Sequence, residues 1–249
     1  MRRGQLAAIV ITSAVLVGCG GIQIAPKPSL PRALIERIPA KVGLVMSAEQ
    51  RNYVHSETRS GVPWSVALGE GQRQLAREIL AATFGEVAEF TDIDSARNAT
   101  VQALFEPITE QYSFATAQET GGEYVAVTIR YRINVLAPNG ERYDSLTLTG
   151  YGTAMADGLS SGEPMEEATR VAMRDAAARF LTQFPETQVA KVLAGGKRLE
   201  VSAEDAMRAL NAAGMKIEAL PIRVSRRINP EWKPAPSAPS LSTPSPAGS

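Results

Sequence analysis

Few residues of this chain could carry nucleophilic or metal chemistry. Its 249 residues include one histidine, His55, and one cysteine, Cys19. A Ser-His-Asp or Cys-His arrangement needs a histidine as its base, so His55 would have to supply it. We interpret His55 instead as a surface residue of a polar loop. Because zinc-type sites are built from several cysteine and histidine side chains, the sequence predicts no metal site, no cofactor and no catalytic residue.

Two pairs of carboxylates offer other chemistry. Asp92 and Asp94 stand in a polar connection, but a calcium loop needs more oxygen ligands in a fixed order, so we predict an ordinary polar turn. Glu106 and Glu110 fall on one face of a predicted strand. In a cleft that raised the pKa of one of them, such a pair could act as acid and base. A periplasmic carboxylate-dependent hydrolase anchored to the membrane is therefore the alternative function.

The charge of the chain excludes one class of partner. The 26 Lys and Arg residues balance 26 Asp and Glu residues, and no basic block interrupts the sequence. A nucleic-acid-binding protein neutralises phosphates with clustered cations. We therefore predict no nucleic-acid partner.

The N-terminus has the pattern of an export signal. Arg2 and Arg3 precede an apolar run from Leu6 to Val17, which is followed by Gly18 and Cys19. A helix that crosses a bilayer needs about 20 residues. The run is shorter than that, and it is typical of the apolar region of a signal peptide.

Leu16-Val17-Gly18-Cys19 resembles the lipobox of bacterial lipoproteins. The resemblance implies cleavage before Cys19, a diacylglyceryl thioether on its sulfur and an acyl chain such as palmitate on its new amine. Gly20 stands where the inner-membrane retention signal of these lipoproteins has aspartate. The resemblance therefore implies a lipid anchor in the outer membrane, with the protein facing the periplasm. The alternative is an ordinary secretory signal with Cys19 near the cleavage site by chance.

Composition divides the rest of the chain. Prolines and small residues dominate the two ends, which cannot bury enough apolar surface to offset the entropy of ordering. The predicted organisation is a signal peptide at 1–18, a lipidated and Pro-rich tether at 19–40, an α+β domain at 41–228 (core 41–185, extension 190–224) and a disordered Pro/Ser-rich tail at 229–249. As a flexible coil, the tether would span about 25 Å.

Hydrophobic periodicity predicts the elements of the domain. Alternation of apolar and polar residues over 124–136 predicts a half-buried strand, and Asn139-Gly140 predicts a hairpin turn to a returning strand at 142–152. The other predicted elements are a strand at 42–46, a long loop or loose hairpin at 47–68, a helix at about 70–84, a strand at 100–105 and a helix at 163–184. Pro107 predicts an edge or a bulge, after which Tyr112 and Phe114 continue the strand at 100–105. A short helix to residue 213 and a strand at 216–224 would follow.

This order predicts an α+β fold. We expect a mainly antiparallel four-stranded sheet with two helices packed on one face, plus a small C-terminal α/β extension. The opposite face of the sheet is expected to stay polar.

That polar face is the predicted partner-binding site. Tyrosine and arginine are enriched where proteins bind one another, although antiparallel sheets commonly leave one face to water. A plain solvated face therefore remains the alternative. The candidate residues are Tyr124, Thr128, Arg130, Arg132, Thr147, Thr149 and Tyr151.

The lipobox, the tether and the β-α-β-β-β-α order together resemble small envelope-assembly lipoproteins. Two kinds are similar: the LptE kind of lipopolysaccharide-assembly lipoprotein, and the TolB N-terminal-like domain of accessory lipoproteins in polysaccharide export. The resemblance covers about residues 41–185 and rests on topology. It implies a non-enzymatic accessory or assembly factor of an envelope complex for lipopolysaccharide, polysaccharide export or secretion, with an envelope protein as partner.

Overall fold

The computed structural model describes residues 21–28, 30, 36–97, 99–156 and 162–201. The strands are β1 (Ile22–Ile24), β2 (Ile38–Val45), β3 (Val54–Arg59), β4 (Val62–Ala67), β5 (Phe84–Phe90), β6 (Ala103–Ala115), β7 (Tyr124–Leu136) and β8 (Arg142–Met155). The helices are α1 (Ala48–Arg51), α2 (Gly69–Thr83), α3 (Ile93–Ala96), α4 (Gly162–Gln183) and α5 (Gln188–Ala194).

The strands form two sheets. The larger sheet has the order β5-β2-β6-β7-β8, in which β2 pairs parallel with β5 and β6, and the remaining neighbours are antiparallel. The smaller sheet has the order β1-β4-β3. The α+β class is confirmed, but the prediction of one mainly antiparallel four-stranded sheet is wrong, because the main sheet is mixed and five-stranded.

The strand of the main sheet that the sequence missed is β5. It follows α2 without a linker, since Phe84 both caps the helix and begins the strand. The sequence predicted no strand between the helix at about 70–84 and the strand at 100–105. β5 lies at the edge of the sheet and keeps Glu86 and Glu89 exposed, so it lacks the apolar run of a central strand.

Residues 47–68, predicted as a loop or loose hairpin, form α1 and the regular hairpin β3–β4. Ser60 and Gly61 make its turn with φ of 50° and 79°, the left-handed geometry of a two-residue hairpin loop. Trp64 and Val66 of β4 are buried. The Trp64 ring lies 5.3 Å from that of Phe114, which seats the small sheet on the main core.

β1 lies in the stretch that the sequence assigned to the tether. It pairs parallel with β4, with Ile22 opposite Trp64 and Ile24 opposite Val66. Ile24 is buried, as are Pro26 and Pro28. Residues 21–28 are therefore a packed part of the domain and not a flexible tether, because their apolar side chains find partners that composition alone does not reveal.

The β7–β8 hairpin agrees with the prediction. The strands pair antiparallel from Tyr124 opposite Met155 to Leu136 opposite Arg142. The β7 side chains predicted to point inward are buried: Val125, Val127, Ile129, Tyr131, Ile133 and Val135.

Both long helices pack on one face of the main sheet, also as predicted. Leu75 and Ile79 of α2 join Ala172 and Phe180 of α4 in one apolar core with β2, β6, β7 and β8. The helix α4 lies directly on the backbone of β8. A Cβ added to Gly150 would stand 2.0 Å from the carbonyl oxygen of Ala172, so only glycine permits this packing.

The opposite face is not polar throughout. At one end, Val45, Leu104 and Leu136 pack against Ala96 of α3 and against Val101. This second apolar cluster covers the ends of β2, β6 and β7 and corrects the expectation of an entirely polar face.

Several predictions fall outside the described residues. They concern the signal peptide, Cys19, the short helix to 213, the strand at 216–224 and the tail, and the assigned domain boundaries stay predictions. α5, which enters the predicted extension at residue 190, buries Ala190 and Leu193 in the main core. Among the described helices, none is both long enough and apolar enough to cross a bilayer.

Candidate docking face of the sheet

The outer face consists of those side chains of β6, β7 and β8 that point away from α2 and α4. Strand pairing brings six of the seven predicted residues into three facing pairs on it. These pairs are Thr128 with Tyr151, Arg130 with Thr149, and Arg132 with Thr147. Directly opposed side chains in an antiparallel pair have Cβ atoms about 5 Å apart, so the six form a continuous patch.

The seventh residue, Tyr124, lies at the end of the same face. It stands opposite Met155, whose side chain is 76% exposed. Two other residues separate this pair from the next predicted one, because Ala126 and Thr153 come between them. Tyr124 therefore belongs to the margin of the patch.

β6 contributes residues that were not among the seven predicted for this face. Ser113 stands opposite Thr128 and Gln111 opposite Arg130, while Glu110 makes an ion pair with Arg132 at 3.2 Å. The register of β6 shifts between Thr109 and Gln111. Such a bulge interrupts the period of two that assigns side chains to faces, which is why alternation alone could not place Gln111 and Ser113 on this face.

Tyr151 is held at the sheet edge by α4. Its backbone N–H donates a hydrogen bond of 3.0 Å to Oδ2 of Asp175. The guanidinium of Arg179 lies 5.7 Å from the centre of its ring, within the range of a cation–π contact. Tyr151 nevertheless stays 56% exposed, so a fixed aromatic residue faces solvent.

The carboxylates of the alternative hydrolase are engaged with neighbouring side chains. Oε2 of Glu106 accepts a 2.8 Å hydrogen bond from the Asn134 amide, and Glu110 pairs with Arg132. Neither of them lines the two small apolar cavities, of about 30 and 20 Å³, that lie between the helices and the sheet. Tyr131 lines the larger of these cavities, and its burial raises the pKa of its hydroxyl.

His55 lies in β3 and not in a loop, so that prediction is wrong. Its Nε2 is 3.2 Å from Oε2 of Glu57, and its ring centre is 5.0 Å from that of Tyr112. Half-buried between the two sheets, it packs as part of the structure. The hairpin signal at 60–61 was the feature from which this strand could have been predicted.

Asp92 and Asp94 lie at the start of the one-turn helix α3, where the sequence predicted an ordinary polar turn. Asp92 caps α3 by accepting a hydrogen bond from the N–H of Ser95, which lowers the pKa of Asp92. Asp94 pairs with Arg97 at 3.2 Å. Among the described residues, no group of three or more metal-ligating side chains comes together.

No protein-family model matches the chain, and no curated protein matches it. The solved structures that are similar include the PelC dodecamer from Paraburkholderia phytofirmans, with 19% identity, a TM-score of 0.31, and 60% of this chain and 95% of that chain covered. A minor lipoprotein from Acinetobacter baumannii has 11% identity, a TM-score of 0.36, and coverage of 67% and 100%. A hypothetical protein from Chlamydia trachomatis has 8% identity, a TM-score of 0.37, and coverage of 59% and 95%.

Proposed function

We propose that the chain is an outer-membrane lipoprotein, anchored through Cys19, that serves an envelope complex as a non-enzymatic accessory or assembly factor. Its outer face would dock a protein partner. The observation that carries this proposal is the asymmetry of the main sheet. One face of β6, β7 and β8 is covered by α2 and α4, and the described residues leave the middle of the other face uncovered.

The composition of that uncovered face suits protein recognition. Arginine and tyrosine are favoured in interfaces because each combines apolar area with a directional polar group. Arg130 and Tyr151 are both exposed, and threonines lie between them. A surface of this kind could accept a polar, relatively flat partner without a deep pocket.

Site-directed cross-linking in intact cells would test the proposal. A photo-reactive amino acid in place of Thr149 should give one discrete adduct with an envelope protein. The matched control replaces Arg77, which is exposed on α2. Adducts that form equally from both positions would contradict a specific docking face.

Charge reversal provides the second arm of the test. Arg130→Glu should remove the Thr149 adduct because the partner must complement the positive charge. The matched control is Arg77→Glu, which reverses an exposed arginine of α2 away from the outer face and should leave the adduct unchanged. An unchanged adduct in Arg130→Glu would count against the face.

A further inference from the structure

The distance along the chain between the predicted lipid anchor and the folded domain is very short. β1 begins at Ile22, three residues after Cys19. However those residues are arranged, three residues of extended chain span at most about 11 Å. If Cys19 carries the lipid, some part of the domain beside Ile22 must therefore lie next to the bilayer surface.

Strand register identifies which end of the domain this is. Ile22 stands opposite Trp64, two residues from the start of β4 at Val62, so the chain enters beside the turn of the β3–β4 hairpin. Arg59, which precedes this turn, makes a 3.1 Å ion pair with Glu119 of the loop that connects β6 to β7.

We call this region the anchor end. It comprises residues 59–62, the loop at 116–123 and the strand ends at Tyr124 and Met155, which stand opposite each other.

Exposed apolar side chains collect at this end. Val62 and Tyr124 are each 38% exposed, and Met155 is 76% exposed. The described chain exposes two other large hydrophobic residues. Tyr151 lies in β8 four residues before Met155, and Val54 lies at the opposite end of β3. Tyrosine is favoured at the boundary between lipid and water, and a flexible methionine adapts to irregular apolar surroundings.

The charges of the anchor end favour one kind of lipid surface. Arg59 is paired with both Glu57 and Glu119, and Glu123 is exposed beside Tyr124. Acidic groups therefore outnumber basic ones here. An anionic surface would repel them, so zwitterionic headgroups are the better match.

From this arrangement we propose that the anchor end rests on the bilayer, with Val62, Tyr124 and Met155 in the zwitterionic headgroup layer. The inference rests on the lipid anchor of the proposed function and is independent of the docking partner. The domain would then not move freely at the end of a flexible tether, as composition predicted, but would lie on the membrane in a fixed orientation.

Fluorescence quenching of the mature lipidated protein in phosphatidylcholine vesicles would test this orientation. Because the acylated Cys19 is the only native cysteine, one introduced cysteine can be labelled selectively. Gln118→Cys and Met155→Cys place the label at the anchor end. Arg142→Cys, at the far end of β8, is the matched control, about 40 Å away at 3.4 Å per residue. The quencher is a nitroxide attached to a lipid headgroup.

The labels at 118 and 155 should be quenched severalfold more strongly than the label at 142. Equal quenching at the three positions, or stronger quenching at 142, would overturn the inference while the protein still floats with the vesicles. Failure to float would refute the lipid anchor, and with it both the inference and the proposed function. A normal quenching gradient without cross-links from Thr149 would contradict only the docking face.

Discussion

The helix α4 approaches the edge strand β8 at two glycines, Gly150 and Gly152. At both positions the space for a Cβ is already taken by a helix carbonyl, that of Ala172 for Gly150 and that of Ala168 for Gly152. The two glycines thus determine how closely the longest helix of the described chain can lie on the sheet. They also set the position of Asp175, whose carboxylate accepts from the backbone of Tyr151.

Substitution of Gly150 should therefore be costly. Gly150→Ala must push the helix outward, and we expect it to lower the free energy of unfolding by about 2 kcal/mol or more, as overpacked cores do. Gly85→Ala is the control, because the nearest atom to its added Cβ would be 3.7 Å away. Urea unfolding of the two variants measures the difference in the free energy of unfolding. Equal stability would show that α4 can move away from β8 without destabilising the protein.

Two buried tyrosines differ in whether their hydroxyl groups are hydrogen-bonded. The Thr169 hydroxyl donates to the carbonyl of Met165, so it accepts from the hydroxyl of Tyr112 at 2.8 Å. Burial raises the pKa of Tyr112 to about 12. The hydroxyl of Tyr131, by contrast, has no hydrogen-bond partner among the described residues.

Removal of each hydroxyl should show this difference. Tyr112→Phe is expected to cost about 1 kcal/mol, the net worth of a hydrogen bond. Tyr131→Phe should be neutral or stabilising, because an unpaired buried hydroxyl is removed. Thermal or urea unfolding would compare the two, and a larger loss in Tyr131→Phe would contradict the assigned hydrogen bonding.

Glu119 links the loop at 116–123 to acid stability. Its carboxylate accepts a 2.8 Å hydrogen bond from the N–H of Thr116, which lowers the pKa of Glu119 below its ordinary 4.5. A lowered carboxyl pKa in the folded state stabilises the protein above the ordinary value, and the effect is lost as the pH falls through the lowered value.

Glu119→Gln should therefore destabilise the protein at neutral pH and progressively less below about pH 4.5. Urea unfolding of wild type and variant across the acid range gives this difference directly. A constant difference at every pH would show that Glu119 contributes through packing and not through its charge.

At the scale of elements, the small sheet depends on β1. β1 is only three residues long, and its contribution to the core comes mainly from Ile24. Ile24→Ala should cost about 2–4 kcal/mol, the range for truncating a buried aliphatic side chain. Gln23→Ala is the control, since Gln23 is exposed on the same strand. Equal stability of the two variants would mean that residues 21–28 behave as the tether that composition predicted.

The elements also show what a sequence alone can establish. β7, β8, α2 and α4 were predictable because each is long and half-buried, so its apolar residues recur at a clear period. β1, β3 and β5 are short and lie at sheet edges, where polar residues hide that period. The same limit applies to the outer face: β7 and β8 were placed correctly, but the bulge in β6 shifts Gln111 and Ser113 onto this face, where strict alternation from Glu106 does not put them.

At the scale of the whole molecule, the length of the segment between Cys19 and β1 should decide how the domain is oriented on the membrane. Inserting about 20 Gly/Ser residues between Gly20 and Gly21 would add a span of about 25 Å without touching the domain. Quenching of the label at Gln118→Cys should then fall toward that at Arg142→Cys, while flotation with vesicles and the urea midpoint stay unchanged. Quenching that persists in full would show that the anchor end adheres to lipid even when the segment between Cys19 and β1 is long.

The short stretch between Cys19 and β1 also has a geometric consequence. A domain seated on its anchor end would turn the outer face of β7 and β8 sideways, so that this face looks along the membrane plane. Its encounters would then be confined to neighbours embedded in, or attached to, the same leaflet. Components diffusing deep in the periplasm would have to approach the bilayer before they could meet it.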